Sequence, residues 1–224
     1  MGKTHPRCAR CSVKVTDRIC FKPEGKGPDS CPTLHFESTI EKALAQTKSA
    51  EVLEFARQAS IQEGEGYGDR ERGWERVRPI KCRMEETIEL AHRMNYKRLG
   101  LVFCIGLRQE AKAVERLLAG AGFEVVSVAC KLGQIPKEEI GIREDQKIKI
   151  GKFESMCNSV AQAYVLNEAK TDFNVVMGLC VGHDSLFLKH SDALCTVLAS
   201  KDRLLAHNPL AAIYTVDSYY RALK

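Results

Sequence analysis

Beyond residue 98, short apolar runs alternate with segments whose apolar residues recur every three or four positions. The runs Leu99–Cys104, Phe123–Ala129, Phe173–Leu179 and Ala193–Ala199 read as strands, and Arg108–Ala119 and Asn158–Glu168 read as helices between them. A short segment, Ser185–His190, precedes the last strand. Continuous apolar runs belong to strands covered on both faces, so the pattern predicts a doubly wound α/β domain with a mostly parallel sheet. Upstream, Ser38 and Glu41 have capping-box spacing. Ile40, Ala43, Leu44, Val52, Leu53, Phe55 and Ala56 then predict one broken helix or two short ones to Ser60. Ile80, Met84, Ile88 and Ala91 predict a further helix over Pro79–Asn95. Between them, Gly64, Gly66, Gly68 and Gly73 mark a loop. No strand precedes it, so it is not read as a phosphate-binding loop.

Two segments break this rhythm. Residues 1–35 have no sustained periodicity and contain Pro6, Pro23, Pro28 and Pro32. So few large apolar side chains cannot offset the entropy of ordering such a piece, and another source of order is required. Lys131–Ser155 is long and charged, as expected of a solvated loop or flap or, in the sharper reading, a lid over an active rim. The organisation expected is a cysteine-rich segment at 1–35, a helical region at 36–97 and the α/β domain at 98–224, the first two forming a helical and cysteine-rich N-terminal extension.

Composition changes this picture mainly through sulfur. The 224 residues include ten cysteines. The chain opens on polar residues, and its longest apolar stretch, Leu99–Leu107, is about half of the ~20 residues that a membrane span needs. Secretion and membrane insertion are therefore disfavoured, a cytoplasmic setting is expected, and thiolates for metals or catalysis are the better explanation of the cysteines than a disulfide scaffold. The formal net charge is +5, and residues 1–35 hold seven Lys or Arg against three Asp or Glu, a net of +4. That surplus is small for a nucleic-acid binder. It does lie among four cysteines, where cationic neighbours favour the metal-binding thiolate.

Those four, Cys8, Cys11, Cys20 and Cys31, are spaced C-x2-C-x8-C-x10-C, and Pro32 follows the last. A CxxC pair places two sulfurs on one tetrahedral ion, and two more at loop distance complete a shell for zinc or an iron–sulfur cluster. Binding free energy then serves as folding free energy for the segment.

A second set lies at predicted strand ends. Cys104 ends the first strand, Cys130 follows the second, Cys180 follows the third and Cys157 begins a helix, so all four are expected on the carboxyl rim of the sheet, where open α/β folds bind ligands. Cys82 and Cys195 fall in apolar-periodic surroundings and read as structural. Polar residues cluster with Cys180: the turn Gly178–Ser185 leads into a helix start, and Lys201-Asp202-Arg203 and His207-Asn208-Pro209 follow the last strand. Two chemistries stay open. Cys180 is a nucleophile with His183 or His207 as base and Asp184 as orienter, or it is a metal ligand. In the second case Lys131, Asn158, Lys201, Asp202, Arg203 and Asn208 supply charge and hydrogen bonds to a bound group.

These residues carry a resemblance. Cys8-Ala9-Arg10-Cys11, Cys31-Pro32, Phe103–Leu107, Ser127–Lys131, Cys157-Asn158 with Gln162-Ala163 and Leu166-Asn167, Gly178–Asp184, Lys201-Asp202-Arg203 and His207-Asn208-Pro209 resemble a prokaryotic domain-of-unknown-function family of uncharacterised cysteine-rich metal-binding proteins. Ser159 stands where that family carries proline. The resemblance implies metal binding through the cysteines and a cytoplasmic setting, often in anaerobic metabolism, with no settled reaction. The reading that results is a [4Fe–4S] iron–sulfur protein with a redox or metalloenzyme role. Zinc is the alternative metal at the N-terminal site, and a small molecule or a redox protein is the expected partner. A metal-independent cysteine transferase or hydrolase and a zinc-stabilised nucleic-acid adaptor are the alternatives.

Overall fold

The computed structural model describes residues 5–223, which form two compact units that divide between Ile61 and Gln62. The first begins with turns and short 3-10 segments, followed by helices α1 (Pro32–His35), α2 (Glu37–Thr47) and the start of α3 (Leu53–Glu65). None of its described residues is buried. The expected box between Ser38 and Glu41 is not made, because α2 starts at Glu37 and takes Ser38 into its first turn.

In the second unit the glycine-rich stretch is a small antiparallel hairpin, β1 (Tyr67–Gly68) with β2 (Arg78–Pro79). Pro79 therefore belongs to a strand, and helix α4 starts only at Arg83 and runs to Arg93. Cys82 caps α4: its backbone N–H donates to Glu85 Oε2 at 2.7 Å. Four strands follow, β3 (Arg98–Phe103), β4 (Glu124–Ala129), β5 (Phe173–Met177) and β6 (Cys195–Ala199), interleaved with α5 (Arg108–Gly120), α6 (Ser159–Glu168) and α7 (His183–His190), and the chain closes with α8 (Leu210–Tyr214). The sheet is parallel throughout with order β4-β3-β5-β6, as the continuous apolar runs predict.

Alternation along the strands divides the core. Val102, Val128 and Val176 pack with Ala163 and Leu166 of α6 and Phe187 of α7. Leu99, Leu101 and Val175, equally buried, therefore point to the other face. Gly100 of β3 lies opposite Asn174 of β5, where a Cβ would stand 2.0 Å from Asn174 Oδ1 and 2.7 Å from Leu166 Cδ1. Asn174 is fully buried and both its polar groups are satisfied: Oδ1 accepts from Thr171 Oγ1 at 2.8 Å, and Nδ2 donates to Ser191 Oγ at 2.8 Å. At the edge, Arg83 donates to Val197 O (2.7 Å) and Thr196 Oγ1 (2.9 Å), which ties α4 to β6 and occupies an edge carbonyl.

The order of the strands places the switch point between β3 and β5, because β4 follows β3 on one side while β5 and β6 build the other. Crossovers leave in opposite directions there, so a crevice opens at the carboxyl ends of those strands. The register aligns Phe103 with both Ala129 and Met177, so the residues that follow each of them emerge side by side.

Candidate functional site

Cys104 leaves β3, Cys130 leaves β4, and Cys180 follows β5 through Gly178. Gly178 has φ +65°, and a Cβ there would stand 1.9 Å from Leu107 Cδ1, so only glycine lets the chain turn at this point. Cys157 arrives on the strap that leads into α6, where Asn158 N–H donates to Cys130 O at 2.8 Å. All four cysteines line one cleft of about 590 Å³, together with Ile105, Gly106, Lys131, Ile148, Lys149, Phe153, Glu154, Ser155, Lys201 and Arg203.

Three of the thiols act as a group. Cys130 is almost fully buried, and its sulfur accepts a hydrogen bond from Ile105 N–H at 3.3 Å. Its thiol supplies a hydrogen bond to the sulfurs of Cys104 and Cys157, which is the main reason why both of these are lowered to about 5. The cation of Lys201 adds to this at Cys104, and that of Lys131 at Cys157. The donor role pushes the Cys130 thiol itself up. One S–H proton serves one acceptor at a time, so Cys130 stabilises either neighbouring thiolate in turn. Cys180 stands apart from the three. Burial raises its thiol, and Arg203 Nη2 donates to its sulfur at 2.8 Å.

Other predicted site residues have local duties. Asn158 caps α6, accepting from Ala161 N–H at 3.1 Å, and Lys131 Nζ donates to Ser155 O. Asp202 Oδ1 accepts from Leu204 and Leu205 N–H, while its own N–H donates to His207 Nδ1 at 3.2 Å. Asp184 Oδ1 accepts from Ser185 N–H, and Asn208 N–H donates to Leu205 O. His183 N–H donates to Cys180 O at 2.9 Å, but among the described residues no hydrogen bond joins the Cys180 sulfur to His183 or His207, and His183 Nδ1 is buried without a partner. Gln162 was not singled out by its chemistry, yet it braces the rim. Fully buried in α6, it donates through Nε2 to Val128 O (2.8 Å) and Phe103 O (3.3 Å), the carbonyls that lead into Cys130 and Cys104. A polar residue on the same face as Ala163 and Leu166 was the signal available for it.

The charged segment after β4 is a folded flap, mostly exposed to solvent. Pro136 and Ser155 form an antiparallel bridge, and Met156 N–H donates to Ile135 O at 2.8 Å, closing its neck. Inside it Lys147 is buried between Glu138 and Glu144. Glu154 pairs through Oε1 with Lys137 at 2.8 Å, and its Oε2 accepts from Ile148 and Lys149 N–H at 2.8 and 3.0 Å. The Lys137 ammonium, followed by these backbone donors, holds the Glu154 carboxyl down to about 2 from an ordinary 4.5. Because the folded value lies below the unfolded one, this contribution is complete above about pH 4.5 and is lost as pH falls towards 2. Proteolysis of the flap is expected to accelerate across that window, and Glu154→Gln should give fast cleavage at neutral pH without the acid-dependent rise.

The other cysteine set also shares a pocket. Cys8, Cys11, Cys20 and Cys31 line a cavity of about 140 Å³ with Arg7, Arg18 and Lys26. Arg18 Nε donates to Val13 O at 2.8 Å, and Arg18 bridges to Lys26 in the backbone. A Cβ on Gly27 would stand 2.9 Å from Cys31 Sγ, so glycine leaves that sulfur its room. All ten cysteines are free, and among the described residues no group of three or more His, Cys, Asp or Glu stands so that it could hold a metal ion. Also among the described residues, no helix is long and apolar enough to cross a membrane.

No solved structure matches the chain. Over 216 residues it is 48% identical to "Uncharacterized protein MJ0455" of Methanocaldococcus jannaschii, a match that covers 96% of this chain and 95% of that protein. Residues 31–198, which include all four rim cysteines, match the family described as "Protein of unknown function (DUF1847)". The α/β body, its rim cysteines and the flap over them are thus those of a member of the DUF1847 family, to which this chain belongs.

Proposed function

We propose that this chain is a cysteine-ligated metalloprotein whose principal centre, an iron–sulfur cluster, is held at the carboxyl rim by Cys104, Cys130 and Cys157, with Cys180 as the fourth thiol of the same cleft. The observation that carries the proposal is the meeting of sulfurs from three separate rim segments at the carboxyl edge of a parallel sheet. A core that needed only small apolar residues would not direct such side chains towards a cleft bordered by lysines. The donor set fits the group: soft thiolates, cationic neighbours that favour their ionised form, and backbone N–H groups aimed at sulfur, as Ile105 N–H is at Cys130. A cluster bound there supplies one-electron transfer or Lewis-acid activation. The chain's own residues fix the thiols in register, shield them beneath the flap, and keep Arg203 on the Cys180 sulfur.

The N-terminal cysteines fit a separate structural ion, zinc or a second cluster. With no buried side chain among its described residues, the first unit needs a source of order that four thiolates and one ion can provide. Anaerobic purification followed by iron, sulfide and zinc analysis tests both sites. Whole-cluster iron and sulfide with visible absorbance are expected, and colourless protein free of both metals would overturn the proposal. Cys11→Ser should make the first unit rapidly digestible by protease and leave the second unit's resistance unchanged.

A further inference from the structure

The rim cleft carries more positive charge than its sulfurs use. Lys131 is engaged by Ser155 O and Lys201 bonds the Cys104 sulfur, but among the described residues none of Lys149 on the flap and Lys201 and Arg203 after β6 pairs with a carboxylate. The single carboxylate on the cleft wall, Glu154, has both oxygens committed to Lys137 and to flap N–H groups. Lys201 reaches this position beside Gly106, where a Cβ would stand 3.3 Å from Lys201 Nζ. Arg203 spends one nitrogen on Cys180 and keeps the rest of its planar fork, the shape that matches carboxylate and phosphate oxygens. The cleft volume, about 590 Å³, lies within the range of small-molecule sites and exceeds what the sulfurs themselves fill.

We infer that the cleft binds a small organic anion with at least two negative charges, of carboxylate or phosphate type, held by Lys149, Lys201 and Arg203 against the thiol group. This deepens the metal-centre reading and rests on it for the group the anion faces. The flap supplies Lys149 from one wall and the loop after β6 supplies the other two cations, so charges from distant parts of the chain converge on one ligand. An unfilled cluster of cations beside thiols has little intrinsic stability to offer, because like charges at close range oppose folding. A ligand that neutralises them gives the arrangement a purpose.

Titration calorimetry on the full-length protein at low ionic strength, with inorganic pyrophosphate and with citrate as probes, tests this. Binding of one probe or both by the parent chain is expected, and the preferred probe distinguishes phosphate from polycarboxylate chemistry. Lys201→Gln and Arg203→Gln should each weaken binding roughly tenfold, the loss of one charge-assisted contact, while Lys189→Gln on α7 should leave it unchanged. Absence of heat with both probes, or equal affinity in all variants, would overturn the inference. Metal analysis of the same samples separates the two proposals. Metal present without anion binding removes only this one, and anion binding without metal removes only the metalloprotein reading.

Discussion

If the rim cysteines hold the proposed centre, Cys130→Ala is expected to empty the rim of metal, so that the content per chain falls to that of the proposed N-terminal site alone. Cys130 is the member of the group that touches both others, and its loss leaves Cys104 and Cys157 without the thiol that lowers each to about 5. Both should return towards the ordinary value of 9, and at neutral pH the sulfurs would then be mostly protonated and poor ligands. The fold should survive. The backbone of residue 130 keeps its bonds to Phe103 O and from Asn158 N–H, and removing a small buried sulfur costs on the order of 1–2 kcal/mol. Iron, sulfide and zinc counts after anaerobic purification measure the effect. Cys195→Ala is the matched control, since that thiol is spent on Ser191 Oγ at 3.3 Å and lies outside the cleft. An unchanged metal count in Cys130→Ala would mean that the rim sulfurs are packing and nothing more.

The largest effect on stability is expected from Gly100→Ala. The added carbon would lie 2.0 Å from Asn174 Oδ1, in a central strand with Leu166 only 2.7 Å away on the same side, so neither neighbour can withdraw freely. Relief requires Asn174 to give up its bonds to Thr171 and Ser191, or β3 to separate from β5. Overpacking of about 1–3 kcal/mol and the stranding of a buried amide at about 1–3 kcal/mol sum to roughly 4 kcal/mol, a large share of the 5–15 kcal/mol that holds a typical domain. Urea denaturation should show the midpoint falling steeply, with lost expression as the extreme outcome. Gly120→Ala at the end of α5 meets nothing within 4 Å and should be neutral or slightly stabilising. A Gly100→Ala protein as stable as the parent would show that Asn174 is not locked in place.

Much of the fold was legible in the chain because periodicity is local. Four continuous apolar runs alternating with amphipathic helices specify parallel strands with covered faces, and the strands lie where those runs do, within one or two residues. Where periodicity misleads, the cause is non-local pairing. The repeat of Ile80, Met84, Ile88 and Ala91 predicts a helix from Pro79, but a two-residue strand pairs Pro79 with Tyr67 and delays the helix to Arg83. The flap keeps most of its charges in solvent, as its sequence suggests, but pairing across it buries Lys147 between two glutamates and sets Glu154 as an internal cap.

The sequence alone determined which residue types stand at strand ends: sulfur after the first three strands of the sheet, lysine and arginine after the fourth. Only the tertiary structure decided that Cys104, Cys130 and Cys157 form a group while Cys180 is held apart by Arg203, that Gln162 braces the strand ends, and that Lys149 crosses from the flap to the same cleft. The physical reason is that spacing along a chain sets which face a side chain occupies, whereas strand order and register set which distant side chains become neighbours.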